Sequence, residues 1–310
     1  MSIPRVAICV VTYNSADLIP DLVASLAAGA EGTDWTLVFA DNDSSDDTLG
    51  VIRACAPGAI VVENGANVGY AAGVNAAVRG GGDQDAYLIL NADVRLLPGC
   101  VVALYETLSP EIGIVVPQLI DAEGELIWSM RREPSILRAW ADATIGAERA
   151  GRYPALGEIV TDPRLYRDAR PTDWAEGSTQ LISADCWRTC GPWDGSYFLY
   201  SEETEYDLRA GDRGLATWYQ PAARAQHLEG GSAGNVRQWS LLVANRVLLY
   251  GRRHGRFATA MFWCATAARE ASRALIGKKT SRAAIRDLVS RRRLRQARGP
   301  EWLAQVPAGS

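Results

Sequence analysis

Short runs of β-branched and aliphatic residues alternate with segments of helical periodicity from the start of the chain. Residues 6–11, 37–40, 60–63, 87–90 and 114–117 read as strands, and 17–29, 46–55, 70–79 and 98–108 as the helices between them. Strands about 25 to 30 residues apart with a helix in each interval predict βαβ units and a mostly parallel sheet. After Gln118 the rhythm breaks. A hairpin is expected around 121–124, and 131–171 reads as one long irregular stretch punctuated by Arg and Pro, a length more often functional or mobile than packed. Between 174 and 226 shorter strands flank one helix, 202–213. From 236 onward the pattern is helical again, apolar over 239–250 and 257–268, then arginine-rich over 282–298. No internal repeat is visible, and the chain divides naturally into 1–118, 119–235 and 236–310.

Charge sharpens that division. Of the 310 residues 48% are hydrophobic and 22% charged, which is the balance of a globular chain. Before residue 236 there are 16 Lys and Arg against 33 Asp and Glu, and from there on 16 against 3. An acidic body excludes sequence-independent nucleic-acid binding, because that affinity comes from clustered cations. The basic tail favours phosphates or an anionic lipid surface. Six cysteines, Cys9, Cys55, Cys100, Cys186, Cys190 and Cys264, stand singly in apolar runs without a Cys-x-x-Cys spacing, so all are expected as buried thiols. The opening Met1-Ser-Ile-Pro-Arg5 lacks the basic and apolar regions of a secretory signal, and the uncharged stretch 257–268 is too short to span a bilayer. The expectation is a cytoplasmic protein that touches a membrane at most from one side.

In an open parallel sheet, ligands sit beyond the carboxyl ends of the strands. Here those positions are Thr12-Tyr13-Asn14-Ser15, Asp41-Asn42-Asp43-Ser44, Asn64 to Asn67 with Gly69, and Asn91-Ala92-Asp93. Turn formation and helix capping explain about half of such residues. They do not explain why all four loops carry amides or carboxylates while none places a nucleophile beside a base. The Gly-x-Gly-x-x-Gly and P-loop patterns are both absent, which disfavours a dehydrogenase or P-loop enzyme.

Thr12-Tyr13-Asn14, the run from Asp41 to Asp46, the run from Asn67 to Asn75, and Asn91-Ala92-Asp93 resemble the nucleotide-binding half of a family 2 glycosyltransferase. Trp174-Ala-Glu176-Gly177, Gly191-Pro-Trp193-Asp194, Glu202-Glu203-Thr-Glu205 and His227 continue the resemblance, which covers about residues 6–232. Among its members the chain is most similar to bacterial rhamnosyltransferases of cell-wall and surface glycans. The resemblance implies a GT-A fold: a mostly parallel, Rossmann-like sheet flanked by helices, a mixed acceptor-side half, and here a helical C-terminal extension. Residues 1–118 would bind the nucleotide sugar and 119–235 the acceptor.

The same resemblance distributes roles. Asp93 corresponds to the metal-binding acid of the D-x-D motif, with Asn91 in place of the first acid, and His227 to the metal-ligating His, so that Mg²⁺ or Mn²⁺ would stabilise a departing diphosphate. Glu203 takes the place of the base that deprotonates the acceptor hydroxyl, with Glu202 its alternative. An acid in a first turn also favours the helix dipole, which accounts for one of Glu202, Glu203 and Glu205. Asp41 would meet the nucleobase, with Thr12, Tyr13 and Asn14 around it. Asn67, Gly69, Asn75, Asn91 and Ala92 would line the nucleotide sugar. Trp174, Glu176 and Gly177 would face the acceptor, and Trp193 and Asp194 would bound the donor sugar; core packing is an equal reading for both tryptophans.

The expected reaction is inverting sugar transfer from dTDP-rhamnose, or from a UDP-sugar, to a glycan, polyprenyl-linked or small-molecule acceptor. A sugar-phosphate nucleotidyltransferase would show a Gly- and Arg/Lys-rich loop after the first strand, which residues 12–17 do not. A non-catalytic sugar-nucleotide-binding module stays open because Asn91 and Glu203 depart from the family pattern. In the tail, Arg269, Arg273, Lys278, Lys279, Arg282 and Arg286 leave a modest apolar stripe of Ala267, Ala274, Ile285, Leu288 and Val289, and His254 falls within a basic face. Two roles are equally open for it: a clamp on the acidic body, or peripheral attachment to the inner face of a membrane.

Overall fold

The computed structural model describes residues 3–228, 235–290 and 299–300. The first part runs β1 (Arg5–Thr12), α1 (Ile19–Gly29), β2 (Asp34–Asp41), α2 (Thr48–Cys55), β3 (Ile60–Glu63), α3 (Tyr70–Gly81), β4 (Ala86–Asn91), β5 (Val94–Leu96), α4 (Cys100–Tyr105) and β6 (Ile112–Ile120). There follow β7 (Met130–Arg131), α5 (Ile136–Ile145), α6 (Ala147–Gly151), β8 (Arg170–Thr172), β9 (Trp174–Ala175), β10 (Thr179–Ser183), α7 (Ala184–Cys190), α8 (Glu202–Asp212) and β11 (Ala216–His227). Helices α9 (Val236–Arg253), α10 (Arg256–Leu275) and α11 (Lys279–Val289) form the extension.

The main sheet has the order β3-β2-β1-β4-β10-β6-β11-β5, with β8 also on β11. Strands β3, β2, β1 and β4 are parallel, as the spacing predicts; β10 enters antiparallel between β4 and β6, and β11 runs parallel to β6 but antiparallel to β5. Successive side chains of a strand face opposite ways. Val6, Ile8 and Val10 of β1 therefore join Leu22, Leu26, Ile52 and Leu104 in one core layer. Ala7 and Cys9 join Val74, Ala77, Cys186 and Tyr206 in the other. The result is a sheet sandwiched between α1, α2 and α4 on one face and α3, α7 and α8 on the other.

Several expectations need correction. The stretch 131–171 is not irregular throughout: it holds α5 and α6, and α5 begins at an N-cap whose Ser135 hydroxyl accepts from the Arg138 amide. A second helix, α7, accompanies α8, and β11 is a 12-residue strand rather than a short one. Its register shifts between Gln220 and Arg224, where Pro221 has no amide hydrogen to give to a ladder. Of the six cysteines, Cys55 and Cys264 are exposed. In the extension Val289 also points to solvent, and His254 packs its ring against Tyr250. The arginine-rich helix ends at Val289; residues 291–298 of that prediction, and Ser232 of the segment after His227, lie outside the described residues. Among the described residues no helix is long and apolar enough to cross a membrane.

Candidate active site

The carboxyl ends of β1 and β2 are locked together. Thr12 donates its hydroxyl to Asp41 at 2.8 Å, and the Ser44 hydroxyl and amide both donate to the same carboxylate. Asn14, in a left-handed conformation at φ 52°, accepts from the Ser45 amide, while its own amide donates to Ser44. Tyr13 is half-exposed beside them. Asp41 is thus buried and already engaged by the protein, so its first task is to tie the two loops.

Asn67, Gly69 and Asn75 do similar work one strand further on. The Asn67 side chain accepts from the Gly69 amide. Gly69 lies so close to the Phe198 carbonyl that a Cβ would sit 2.5 Å from it, and its φ of +89° favours glycine as well. Asn75 exchanges two hydrogen bonds, both 2.9 Å, with the backbone of Trp193. Trp193 itself is buried between Tyr70 and Tyr206, and Asp194 pairs with Arg252 at 2.8 Å. The structure does not bring Asn67, Gly69, Asn75, Trp193 or Asp194 to the main cavity; it settles the Trp193 alternative in favour of core packing.

Asp93, Glu176 and His227 converge. Pairing of His227 with Val94 across β11 and β5 sets the imidazole beside Asp93, and the Leu228 amide donates to the Asp93 carbonyl. His227 Nε2 lies 3.4 Å from Asp93 Oδ1, and Nδ1 lies 3.1 Å from Glu176 Oε1. Glu176 is delivered by the β7–β9 pair and by the hydrogen bond that its amide donates to the Ser129 carbonyl. Burial works against the charged imidazole, but Asp93 and Glu176 outweigh it and raise His227 to about 10. Burial likewise raises Glu176, and His227 more than reverses this, holding the carboxyl below its ordinary range. Nδ1 nevertheless has no hydrogen bond of proper geometry, so this buried nitrogen has polar capacity to spare.

These donors suit a divalent ion. One carboxylate oxygen and one imidazole nitrogen, 3.4 Å apart, are close enough to share a coordination sphere once an ion displaces the imidazole's proton. A protein-only cage is not present: among the described residues no three His, Cys, Asp or Glu side chains are grouped to hold a metal. Asn91, two residues before Asp93, instead accepts a 2.5 Å hydrogen bond from the Tyr70 hydroxyl. Burial first, then the surrounding acids from Glu202 to Glu176, push that phenol well up, so it stays a donor.

Glu203 faces this group from α8. Its side chain packs on Gly177, where a Cβ would come within 2.9 Å of its own Cβ. Burial, aided by Glu176, pushes Glu203 up to about 7. Glu202 is more deeply buried, with an unpartnered Oε2, and burial and Glu203 push it well above the carboxylate range. Burial therefore raises both adjacent acids, Glu203 to about 7 and Glu202 well above the carboxylate range.

A cavity of about 660 Å³ joins these elements. Asn91, Asp93, Trp174, Glu176, Gly177, Glu202, Glu203 and His227 all line it, as the sequence suggests. The sequence reading missed the rest of its wall. Tyr70 and Arg131 come from the body, with Arg131 over the Trp174 ring at 5.7 Å, while Gln238, Trp239, Leu242, Arg246 and Arg269 come from α9 and α10. The extension is part of the site. Its signal was the apolar periodicity of 239–250, which gave no hint of what it would cover.

Residues 7–167 match the family described as Glycosyl transferase family 2. A Mycobacterium tuberculosis N-acetylglucosaminyl-diphospho-decaprenol L-rhamnosyltransferase is 29% identical over 236 residues, which are 72% of this chain and 76% of that one. The low-salt glycan biosynthesis hexosyltransferase Agl10 of Haloferax volcanii is 28% identical over 210 residues, 66% of this chain and 61% of its own length. Among solved structures, the mannosyltransferase PcManGT from Pyrobaculum calidifontis, in complex with GDP-Man and Mn²⁺, superposes with a TM-score of 0.56 at 17% identity, covering 92% of this chain and 79% of that one. The fold is the GT-A fold, and with more than half of its length matched, the chain belongs to glycosyl transferase family 2.

Proposed function

We propose that the chain is an inverting glycosyltransferase that takes a deoxyhexose, rhamnose by first choice, from a dTDP-linked donor and places it on a hydroxyl of a polyprenyl-linked saccharide. UDP-hexoses and UDP-galactofuranose are the next donors to test, and a soluble glycan or small metabolite the next acceptors. The observation that carries the reading is the shared cavity, with Asp93 and His227 on one wall and Glu203 on another. Likeness to the mycobacterial rhamnosyltransferase supports the choice of sugar and of lipid-linked acceptor.

In this scheme Glu203 takes the proton of the acceptor hydroxyl. The oxygen then forms a bond to the anomeric carbon as the bond from that carbon to the diphosphate oxygen breaks, and the electron pair leaves with the nucleoside diphosphate. Asp93 and His227 would hold a Mg²⁺ or Mn²⁺ ion, whose charge offsets that of the leaving diphosphate. Tyr70 orients Asn91 beside them. Thr12, Tyr13, Asn14 and Asp41 shape the loops that receive the nucleotide, and Trp174 and Gly177 border the acceptor's path.

The test is turnover of dTDP-rhamnose, UDP-glucose and UDP-galactofuranose with polyprenyl-diphospho-N-acetylglucosamine, with Mn²⁺ and with EDTA. Release of nucleoside diphosphate together with a glycosylated lipid establishes the reaction. Saturable donor binding without any turnover would leave a sugar-nucleotide-binding module in its place.

A further inference from the structure

The extension's cations fall into two groups. Four of those up to Arg269 grip the body: Arg246 pairs with Asp142 and Glu158, Arg252 with Asp194, Arg253 with Glu133 and Asp212, and Arg269 with Asp142, while Arg269 also pairs with the fully buried Glu270 of its own helix. Arg273 lies over the Trp239 ring at 5.3 Å. Beyond it the pairing stops. Among the described residues Lys278, Lys279, Arg282 and Arg286 form no salt bridge, and all four are exposed.

At the boundary α10 ends at Leu275 and is followed by Ile276; the two are 87% and 77% exposed. Gly277, at φ +94°, turns the chain there, so that Lys278 and Lys279 follow directly. On α11 the exposed residues Lys279, Arg282, Arg286 and Val289 recur at three- and four-residue intervals, while Ser281, Ala284 and Leu288 are buried. Arg282 bends back to donate to the Ala274 carbonyl, which holds its charge beside the apolar corner.

We propose that the α10–α11 corner is a docking surface for an anionic bilayer, with Leu275 and Ile276 entering the headgroup boundary and Lys278, Lys279, Arg282 and Arg286 resting on acidic headgroups. Charge complementarity selects this occupant. A second copy would bring the same four cations of each chain together, and a phosphate backbone gains nothing from two bare aliphatic tips. The arrangement of apolar tips ringed by cations is that of an interfacial anchor. The corner stands about 9 Å along the α10 axis from Arg269, a cavity-lining residue, at 1.5 Å per residue. The inference does not depend on the transfer reaction and is read without it.

The experiment is co-sedimentation of the full chain with phosphatidylcholine vesicles, with and without phosphatidylglycerol, at low and high salt. Two variants accompany it, Lys278→Glu/Lys279→Glu and Leu275→Ser/Ile276→Ser, each checked for an unchanged melting curve. The parent should partition onto the anionic vesicles only. Charge reversal should weaken this about tenfold or more, since each cation near an anionic leaflet counts for about one kcal/mol, roughly fivefold. The serine variant should also bind less, and low salt should not restore it. Equal partitioning of all three proteins, or no partitioning of the parent, overturns the proposal. A dimer in solution that the serine variant dissolves, without vesicle binding, reassigns the corner to a second copy and overturns it as well.

Discussion

Asn245 of α9 donates one amide hydrogen to the Tyr200 carbonyl at 3.1 Å and the other to the Leu199 carbonyl at 2.9 Å. Tyr200 and Ser201 are both left-handed, at φ 69° and 77°, although neither is glycine. Such residues cost about 1–3 kcal/mol each and persist only where their surroundings hold them. The turn they make launches α8 and so aims Glu203.

Replacing Asn245 by Leu removes both bonds and strands two carbonyls, a loss of about 1–3 kcal/mol. The expected outcome is a fall in kcat of about tenfold or more with donor affinity unchanged. Steady-state kinetics beside donor titration check it; parallel loss of affinity at constant kcat would make Asn245 a purely structural tie.

Glu203→Gln should lower transfer by about 10²- to 10⁴-fold while nucleotide-sugar binding persists. If Glu202→Gln were the damaging variant instead, the base would move one residue back. Burial pushes Glu203 up to about 7, and a base acts deprotonated, so kcat/KM should fall about tenfold per pH unit below 7 and level off above it. Folding stability runs the other way. A carboxyl whose pKa rises from 4.5 on folding stabilises the fold while protonated, a contribution that fades as pH rises from about 4.5 through 7. Glu203→Gln should flatten both profiles, read by a rate series and by urea melts.

Mn²⁺ should tighten donor binding to the parent, and Asp93→Ala should abolish that enhancement with the fold intact. Isothermal titration of nucleotide sugar with and without the ion reads this directly. Identical affinities in EDTA would remove Asp93 and His227 from any metal role.

Asn75→Ala should act on stability rather than on binding. Two hydrogen bonds to the Trp193 backbone disappear, each worth about 0.5–1.5 kcal/mol, so the melting temperature drops. Donor KM should stay within about twofold, since the side chain has no place on the cavity; a large KM increase would restore it as a ligand.

The sequence was legible wherever local rules dominate. Alternating β-branched runs and helical segments mark β1 to β4 and their helices because period and length are local properties. Asp93, Glu176, Glu203 and His227 were found by motif, and the cavity does gather them. What stayed hidden depends on tertiary pairing. Nothing around Asn245 or Arg246 says that α9 would cover the acids of α8, and Asn75 and Trp193 look like ligands until their mutual bonds are seen. Helix α5 was obscured by Pro134 and the nearby arginines, though Ser135 offered an N-cap signal. For the tail, ion pairs from Arg246 to Arg269 bear on the clamp reading, and the membrane reading rests on the proposal above.

The insertion of β10 between β4 and β6 has a bearing on how the chain is made. The family match ends at residue 167, yet a fragment cut there would lack the strand that covers two hydrophobic edges of the main sheet. Bare edges of this kind recruit other chains. During synthesis β4 must wait for residues 179–183, an interval on the order of 5 to 20 seconds at usual elongation rates. Over that interval the two strand edges stay bare, and fragments that stop near residue 167 should be found in aggregates rather than as a free, folded half.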